Sequence, residues 1–218
     1  MNFKLLQMIS ISYIIGAHNE GQSIKTLVDT ILKEKDPNDE LIIVDNNSDD
    51  IKTLAILSEY DQYVHTYTEP IKDFSHYKNF KKALAKGNFI FDLDGDEFPN
   101  PILLKTLKEI ILNNHTVDVY VVPRVNIVEG ITDEYVKQMG WNKDQDGFIN
   151  FPDGQARIYR NTPDIKWVNK VHETLTGYKV ITRLPYQNET GKKVTDYSIL
   201  HLKTFEKQKQ QNELYSKI

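Results

Sequence analysis

Four carboxylates fall within six residues, at Asp92, Asp94, Asp96 and Glu97, directly after the apolar run Phe89-Ile90-Phe91 and around Leu93. Ionised groups at the end of a buried strand are costly to desolvate and need a partner. The simplest partner is a hard divalent cation, which takes oxygen ligands. Asp94 and Asp96 are two apart, so on a continuing strand they share a face, and on a turn they can still converge. They form the expected metal pair. Asp92 is expected to serve the strand or to support the pair indirectly, and Glu97 likewise. An EF-hand loop is the obvious rival, but it needs Gly at its sixth position, where Glu97 stands, and Glu at its twelfth, where Leu103 stands. A solvated turn is the plainest alternative; the immediate return to an apolar residue at Phe98 opposes it.

These carboxylates need a strand to present them, and the flanking chain supplies a repeating pattern. Residues 9–17 are β-rich and run into His18-Asn19-Glu20-Gly21. Ile24, Leu27, Val28, Ile31 and Leu32 recur at helical spacing, with Asn19 and Gln22 spaced as a capping box. Residues 36–39 break the chain. Leu41-Ile42-Ile43-Val44 is a continuous apolar strand of the kind covered on both faces, and it ends in the polar run 45–50. A helix is predicted over 51–60 with Ile51, Leu54, Ala55 and Ser58 inward, then a short strand over 64–68. Phe74, Tyr77, Phe80 and Leu84 predict another helix, closed by Gly87 at its C′ position. After the acidic strand, Pro99-Asn100-Pro101 opens a helix with Ile102, Leu103, Leu107, Ile110 and Ile111 buried.

Strand and helix therefore alternate four times, the pattern of an open, mostly parallel α/β sheet. Such sheets bind ligands beyond the C-terminal ends of their strands. Three polar clusters, at 18–20, 45–50 and 92–97, stand at three of those ends. The second half changes character. Residues 117–128 are β-rich, 129–153 read as a long loop or lid, and 156–160 as a strand. Residues 167–173 form a mixed segment rich in reactive side chains. Strands are predicted over 178–184 and 198–202, and a polar terminal helix over 205–218.

Bulk composition narrows the function. With 218 residues, 39% of them hydrophobic, one domain over 1–218 with a real core is expected. A net charge of −4 offers no basic surface to nucleic acid. There is no cysteine, which excludes disulfides and thiolate zinc sites and fits a reducing, cytoplasmic setting. No apolar run suffices for a transmembrane segment. Residues 1–16 are faintly leader-like, but Gln7, Ser10 and Ser12 interrupt the run, which reads better as the first strand. The lysine-containing end, 203–217, could touch a membrane surface.

The order of the clusters resembles the family 2 glycosyltransferases of GT-A fold. Residues 9–20 look like that family's strand and Tyr-Asn-Glu start, with His18-Asn19-Glu20 here. Val44-Asp45-Asn46-Asn47-Ser48-Asp49-Asp50 resembles its Val-Asp-x-x-Ser-x-Asp segment. Asp73-Phe74-Ser75 with Lys78-Asn79 resembles its Asp-Phe-Ser-x-x-Arg-Asn run, and Ala85-Lys86-Gly87-Asn88 its Ala-x-Gly-Asp. Asp94-Gly95-Asp96-Glu97 resembles its Asp-x-Asp-Glu metal motif. Val171-His172-Glu173 and Ile199-Leu200-His201 resemble the lipopolysaccharide-core-like branch.

The resemblance implies a GT-A (Rossmann-like) mostly parallel sheet flanked by helices, with a smaller mixed β C-terminal part. It assigns 1–115 to the nucleotide sugar and 116–218 to the acceptor. It implies metal-dependent, inverting transfer from a nucleotide diphosphate sugar, a UDP-sugar favoured, to a hydroxyl of a glycan, lipid-linked or protein acceptor. Ala17, Asn19, Glu20, Asp45, Ser75, Lys78, Asn79 and Asp94 become donor contacts. Asp94, Asp96 and His201 become ligands of Mg²⁺ or Mn²⁺. Glu173 becomes the general base, with Asp96 and Glu97 as competitors and His172 and Trp167 as further active-site candidates. Lys78 stands where the family usually has Arg and lacks the bidentate fork. Trp167 and Trp141 could stack on a sugar face, although burial is the commoner fate. Two other readings are a non-catalytic sugar- or metal-binding module on a decayed transferase fold, which the intact Asp94/Asp96 pair opposes, and a nucleotidyltransferase. The latter needs a Gly-rich, cationic loop after the first strand, and residues 17–21 contain no Lys or Arg.

Overall fold

Four parallel strands, β1 (Ile11–Ala17), β2 (Glu40–Asp45), β3 (Val64–Thr66) and β4 (Phe89–Asp94), make one half of a sheet in the computed structural model, which describes residues 8–69 and 73–215. The order β3-β2-β1-β4 continues through β7 (Ile149–Arg160), β6 (Val119–Glu129), β11 (Ile199–Thr204) and β5 (Glu97–Pro99), and β10 (Ile181–Arg183) pairs with β6. β7 and β5 run antiparallel to their neighbours; the remaining pairings are parallel. A separate hairpin joins β8 (Lys166–Val168) to β9 (Thr174–Thr176). This is the mostly parallel α/β sheet expected, with its mixed part in the second half.

β1 is buried on both faces, and its side chains alternate between two cores as a two-residue period requires. Ile11, Tyr13, Ile15 and Ala17 join a core with Ile24, Leu27, Val28 and Ile31 of α1 (Gln22–Glu34), and with buried residues of α2 (Ile51–Glu59) and α4 (Pro101–Asn113). Ile14, with Ile42, Val44 and Ile90, joins a second core on the other face. That core contains Tyr77 of α3 (Phe74–Leu84), Trp167 and Leu175. Side-chain caps begin three of these helices: Asp50, Asp73 and Asn100 accept from the backbone N–H groups of Thr53, His76 and Ile102.

Two residues, Gly95 and Asp96, link β4 to β5. Four strand spacings, roughly 19 Å, separate these strands in the sheet order. Three residue steps span at most about 11 Å. The sheet must curl until β11 and β5 return over the end of β4, which brings C-terminal residues to the acidic strand end.

Several local expectations are corrected. Asn19 does not cap α1, whose N-cap is Gly21 at φ 56° with no side-chain cap. Asn19, at φ 57°, instead accepts from the N–H groups of Asp49 and Asp50 at 2.9 and 3.0 Å. In α2 the buried residues are Thr53, Ile56 and Leu57; Ile51 and Leu54 are exposed. Thr53 sets this phase, because its hydroxyl receives the Gly21 N–H and donates to Asp50. In α4 Ile102 is exposed and Leu104 buried. Residues 129–153 are not one loop: α5 (Asp133–Gln138), capped by Thr132, and the start of β7 lie within them, around Val128, Val136 and Ile149. Within 178–184 only β10 is strand. The terminal helix is α6 (Phe205–Tyr215); residues 216–218, like the leader-like residues 1–7, lie outside the described residues. No helix among the described residues is long and apolar enough to cross a membrane.

Gly87 is not a helix C′ residue either, since α3 ends on Ala85 in an extended conformation. Gly87 packs on β1: its N–H donates to Ser12 Oγ at 2.8 Å, and a Cβ there would meet the Ser12 backbone nitrogen at 2.7 Å. Backbone cannot yield as a side chain can. Gly87→Ala is therefore expected to destabilise by about 1–3 kcal/mol, read as a thermal midpoint lower by roughly 2–12 °C. An unchanged midpoint would show that the contact relaxes freely.

Candidate active site

The strand ends stand side by side. Ala17 is in register with Asp45 on β2, and Gly16 with Asp94 on β4. Glycine at 16 leaves room for α3, since a Cβ would meet the Tyr77 hydroxyl at 3.0 Å and Lys81 Nζ at 3.2 Å. Tyr77 Oη donates to the Val44 carbonyl at 3.0 Å and fixes the end of β2. Asp45 is buried and accepts from Ser48 Oγ at 2.5 Å and Ser48 N at 3.2 Å. Asn19 bridges this loop to the first through Asp49 and Asp50, and His18 Nδ1 donates to the Asn46 carbonyl at 2.8 Å. The first two polar clusters thus form one rim.

The four carboxylates of the opening motif separate into different environments. Asp92 pairs with Lys81 of α3 at 2.5 Å, both side chains 1% exposed. It supports the strand from below. Glu97 is fully buried: Oε1 accepts from Arg124 at 2.9 Å and Arg157 at 2.6 Å, and Oε2 from the Asp94 N–H at 3.1 Å. With both oxygens held and no solvent contact, Glu97 cannot receive a substrate proton, which corrects its candidacy as general base.

Asp94 keeps 46% of its side-chain surface open while Oδ2 accepts from Arg157 at 2.5 Å. Burial pushes its carboxyl upward, but Arg157, Lys81, Lys78 and Arg124 together hold it well below the usual carboxylate range. Asp96 Oδ2 lies 3.1 Å from Lys207 Nζ and 3.9 Å from Lys203 Nζ, and Oδ1 lies 3.4 Å from His201 Nε2. Burial opposes its ionisation; His201, Lys203 and Lys207 outweigh it and hold the carboxyl far down. Glu20 crosses Gly95, where a Cβ would come within 2.5 Å of its Cγ, and accepts from Lys207 at 2.8 Å. Burial and the Asp96 charge push the Glu20 carboxyl up, with Lys207 opposing.

The tautomer of His201 is set by its neighbours. Asn126 donates its amide N–H groups to Asp153 at 2.9 Å and the Ile149 carbonyl at 3.3 Å, so its Oδ1 accepts from His201 Nδ1 at 2.7 Å. Nε2 is left directed at Asp96.

On the other side of Asp94, Lys78 lies 4.2 Å over the Trp167 ring and 3.5 Å from Glu173. Burial and the charge of Arg157 push its ammonium pKa down. Trp167 is buried and donates Nε1–H to Tyr159 Oη at 3.2 Å, which corrects its role as a sugar platform. Trp141 packs edge-on to Tyr135. Asn79 clamps β8, donating to the Trp167 carbonyl at 2.8 Å and accepting its N–H at 3.0 Å. Ser75 donates to Asp73 at the start of α3. Glu173 is brought to the site through Lys78, whereas neighbouring His172 is exposed at φ 56°.

Sequence reasoning missed the cations: Arg124, Arg157, Lys203 and Lys207. Arg157 carried a usable signal, a charge inside the apolar strand Ala156-Arg157-Ile158-Tyr159, the same cue that marked Asp92. Lys203 shares the face of His201 by two-residue alternation on β11. Lys207 carried none.

Comparison with known proteins identifies the family and the fold. Residues 12–191 match the family model described as glycosyl transferase family 2. The O-antigen biosynthesis glycosyltransferase WbnJ of Escherichia coli is 26% identical, over 83% of this chain and 82% of its own. The structure of S. aureus TarS 1–349 in complex with UDP-GlcNAc aligns with TM-score 0.60 at 19% identity, covering 89% of this chain and 59% of that one. Its complex with UDP aligns with TM-score 0.57 at 18% identity, covering 89% and 60%. The chain thus spans about three fifths of the solved TarS chains it matches. With a family match over most of its length and that fold in place, the chain belongs to glycosyl transferase family 2 and has the GT-A fold.

Proposed function

We propose that this chain transfers a sugar from a UDP-sugar to an acceptor hydroxyl by direct displacement, with inversion at the anomeric carbon and with a divalent cation on the diphosphate. The observation that carries the reading is the register of β2, β1 and β4, which sets Asp45 and Asp94 two strand spacings apart, about 10 Å. That separation suits a nucleoside held at Asp45 and a diphosphate held at Asp94 and Asp96. The UDP and UDP-GlcNAc complexes of TarS, on a shared fold, support a uridine donor. The name of the E. coli relative favours a glycan hydroxyl as acceptor. Residues 1–115 then supply the donor contacts apart from His201, and the rest of 116–218 serves the acceptor.

The residues present fit such a cation as a site completed by substrate. Among the described residues no three His, Asp or Glu side chains are gathered into a preformed cage. Mg²⁺ and Mn²⁺ at phosphates do not need one, since one or two carboxylates, the phosphates and water complete their shell. Asp96 Oδ1 and His201 Nε2 face each other at 3.4 Å, and half of Asp94 is open beside them. When bound, the cation supplies Lewis-acid stabilisation of the departing diphosphate.

The chain's own residues do the rest. Asp45 accepts from base or ribose donors. Lys78, an ammonium held between Trp167 and Glu173, faces the diphosphate as a point charge. Glu173 takes the proton of the acceptor hydroxyl as its oxygen attacks the anomeric carbon and the nucleoside diphosphate leaves. Asp96 is a poor rival for that proton, because a carboxyl held so far down is a weak base.

A thermal-shift screen of nucleotide sugars with and without Mn²⁺ tests the reading. A UDP-sugar at about 100 times its Kd in the presence of Mn²⁺ should add roughly 2.7 kcal/mol of stability, and less at the same concentration without Mn²⁺. No shift and no turnover with any common nucleotide sugar would end it.

A further inference from the structure

The notch between Glu20 and Asp96 already holds a cation of the protein's own. Lys207 Nζ sits 2.8 Å from Glu20 Oε2 and 3.1 Å from Asp96 Oδ2. The two carboxylate side chains are 11% and 8% exposed, whereas the Lys207 side chain is 43% exposed. The lysine therefore reaches in from solvent, along a stem that can swing out again. Its neighbour Lys203 differs: it is 7% exposed, donates to Gln211 Oε1 at 2.5 Å and stands 3.9 Å from Asp96. Lys203 is a fixed part of the wall, and Lys207 is the removable charge.

We propose that Lys207 is a tethered counter-ion that neutralises the Glu20–Asp96 notch in the free protein and competes there with the divalent cation. The proposal rests on the metal reading of Asp96 given above. An ammonium bonded to Asp96 Oδ2 and a divalent ion bonded to the same carboxylate are like charges within a few ångströms, so the ion must displace the lysine. Gly95 keeps the notch in place, because only a residue without Cβ lets Glu20 lie across it. Glu20 thereby acts as the second anchor of Lys207, beyond the donor contact that the family resemblance suggests for it. Competition of this kind makes bare-metal binding weak and couples the metal to arrival of the diphosphate, whose negative charge stabilises both cations.

Mn²⁺ binding to the full chain without nucleotide, monitored by electron paramagnetic resonance of the free ion, tests this directly. Lys207→Met should bind Mn²⁺ at least about fivefold more tightly than wild type, the lower end of usual coupling between sites, while Lys207→Arg should stay near wild type. Circular dichroism and the thermal midpoint check the fold, and Lys207→Gln serves in its place if the methionine variant fails to fold. Equal or weaker Mn²⁺ affinity in both neutral variants, with wild type binding measurably, overturns the competition and leaves the metal reading standing. If no variant binds Mn²⁺ even with UDP present, both fail.

Discussion

Replacing Arg157 by methionine will lower stability by about 3–5 kcal/mol, the range for breaking a buried charge pair from one side. Arg157 is 4% exposed and joins fully buried Glu97 to Asp94. Without it, Glu97 retains Arg124 as its nearest cation. For a domain of this size the thermal midpoint should fall by roughly 6–20 °C. The pH dependence has a definite sign. Asp94 is held below its unfolded value, so its contribution is present above the ordinary carboxylate range and lost as pH falls through the depressed value. The gap between wild type and Arg157→Met should therefore hold from pH 7 down to about 4 and narrow as pH falls further. Adding Glu97→Gln should recover part of the loss, since it removes a fully buried charge that Arg124 would otherwise offset alone. Urea denaturation of the three proteins measures all of this. A loss under about 1 kcal/mol would mean that Glu97 is satisfied without Arg157.

Asp96→Asn and Asp94→Asn should each reduce turnover by about 10²–10³-fold at saturating UDP-sugar and Mn²⁺, the scale of removing one preorganised electrostatic contact from a transition state. Both changes keep shape and volume. Asp94 is half open, but Asp94→Asn leaves buried Arg157 with Glu97 as its one ion-pair partner, so a thermal midpoint lowered by less than in Arg157→Met is expected at neutral pH. Asp96→Asn also releases Lys203 and Lys207 from their shared partner, and a moderate stability change is expected there. The Mn²⁺-dependent part of the donor-induced thermal shift should vanish in both. Initial rates within threefold of wild type would place the diphosphate elsewhere.

Much of the fold was legible because the residues that specify it act locally. Leu41-Ile42-Ile43-Val44 reads as a covered strand from its own composition, and Asn100-Pro101 starts α4 through contacts within one turn. The errors have the same origin. Asn19 and Gln22 match a capping box by spacing, but Asn19 is taken by Asp49 and Asp50, thirty residues away in the chain. Ile51 and Leu54 look like an inward stripe, but Thr53, bonded to Gly21 in another loop, turns that face outward.

The candidate site divides along the same line. Three polar clusters ending three parallel strands, with Asp94 and Asp96 in the third, are readable along the chain because each cluster adjoins its own apolar run. Which charges meet them depends on the folded sheet. Arg157 reaches Asp94 across 63 residues and Lys207 reaches Glu20 across 187, after the sheet has curled β11 and α6 back over β4. Periodicity states which face of its own element a residue occupies and carries no information about the element packed opposite. The carboxylates were therefore visible in the chain, and their counter-ions became visible only once it was folded.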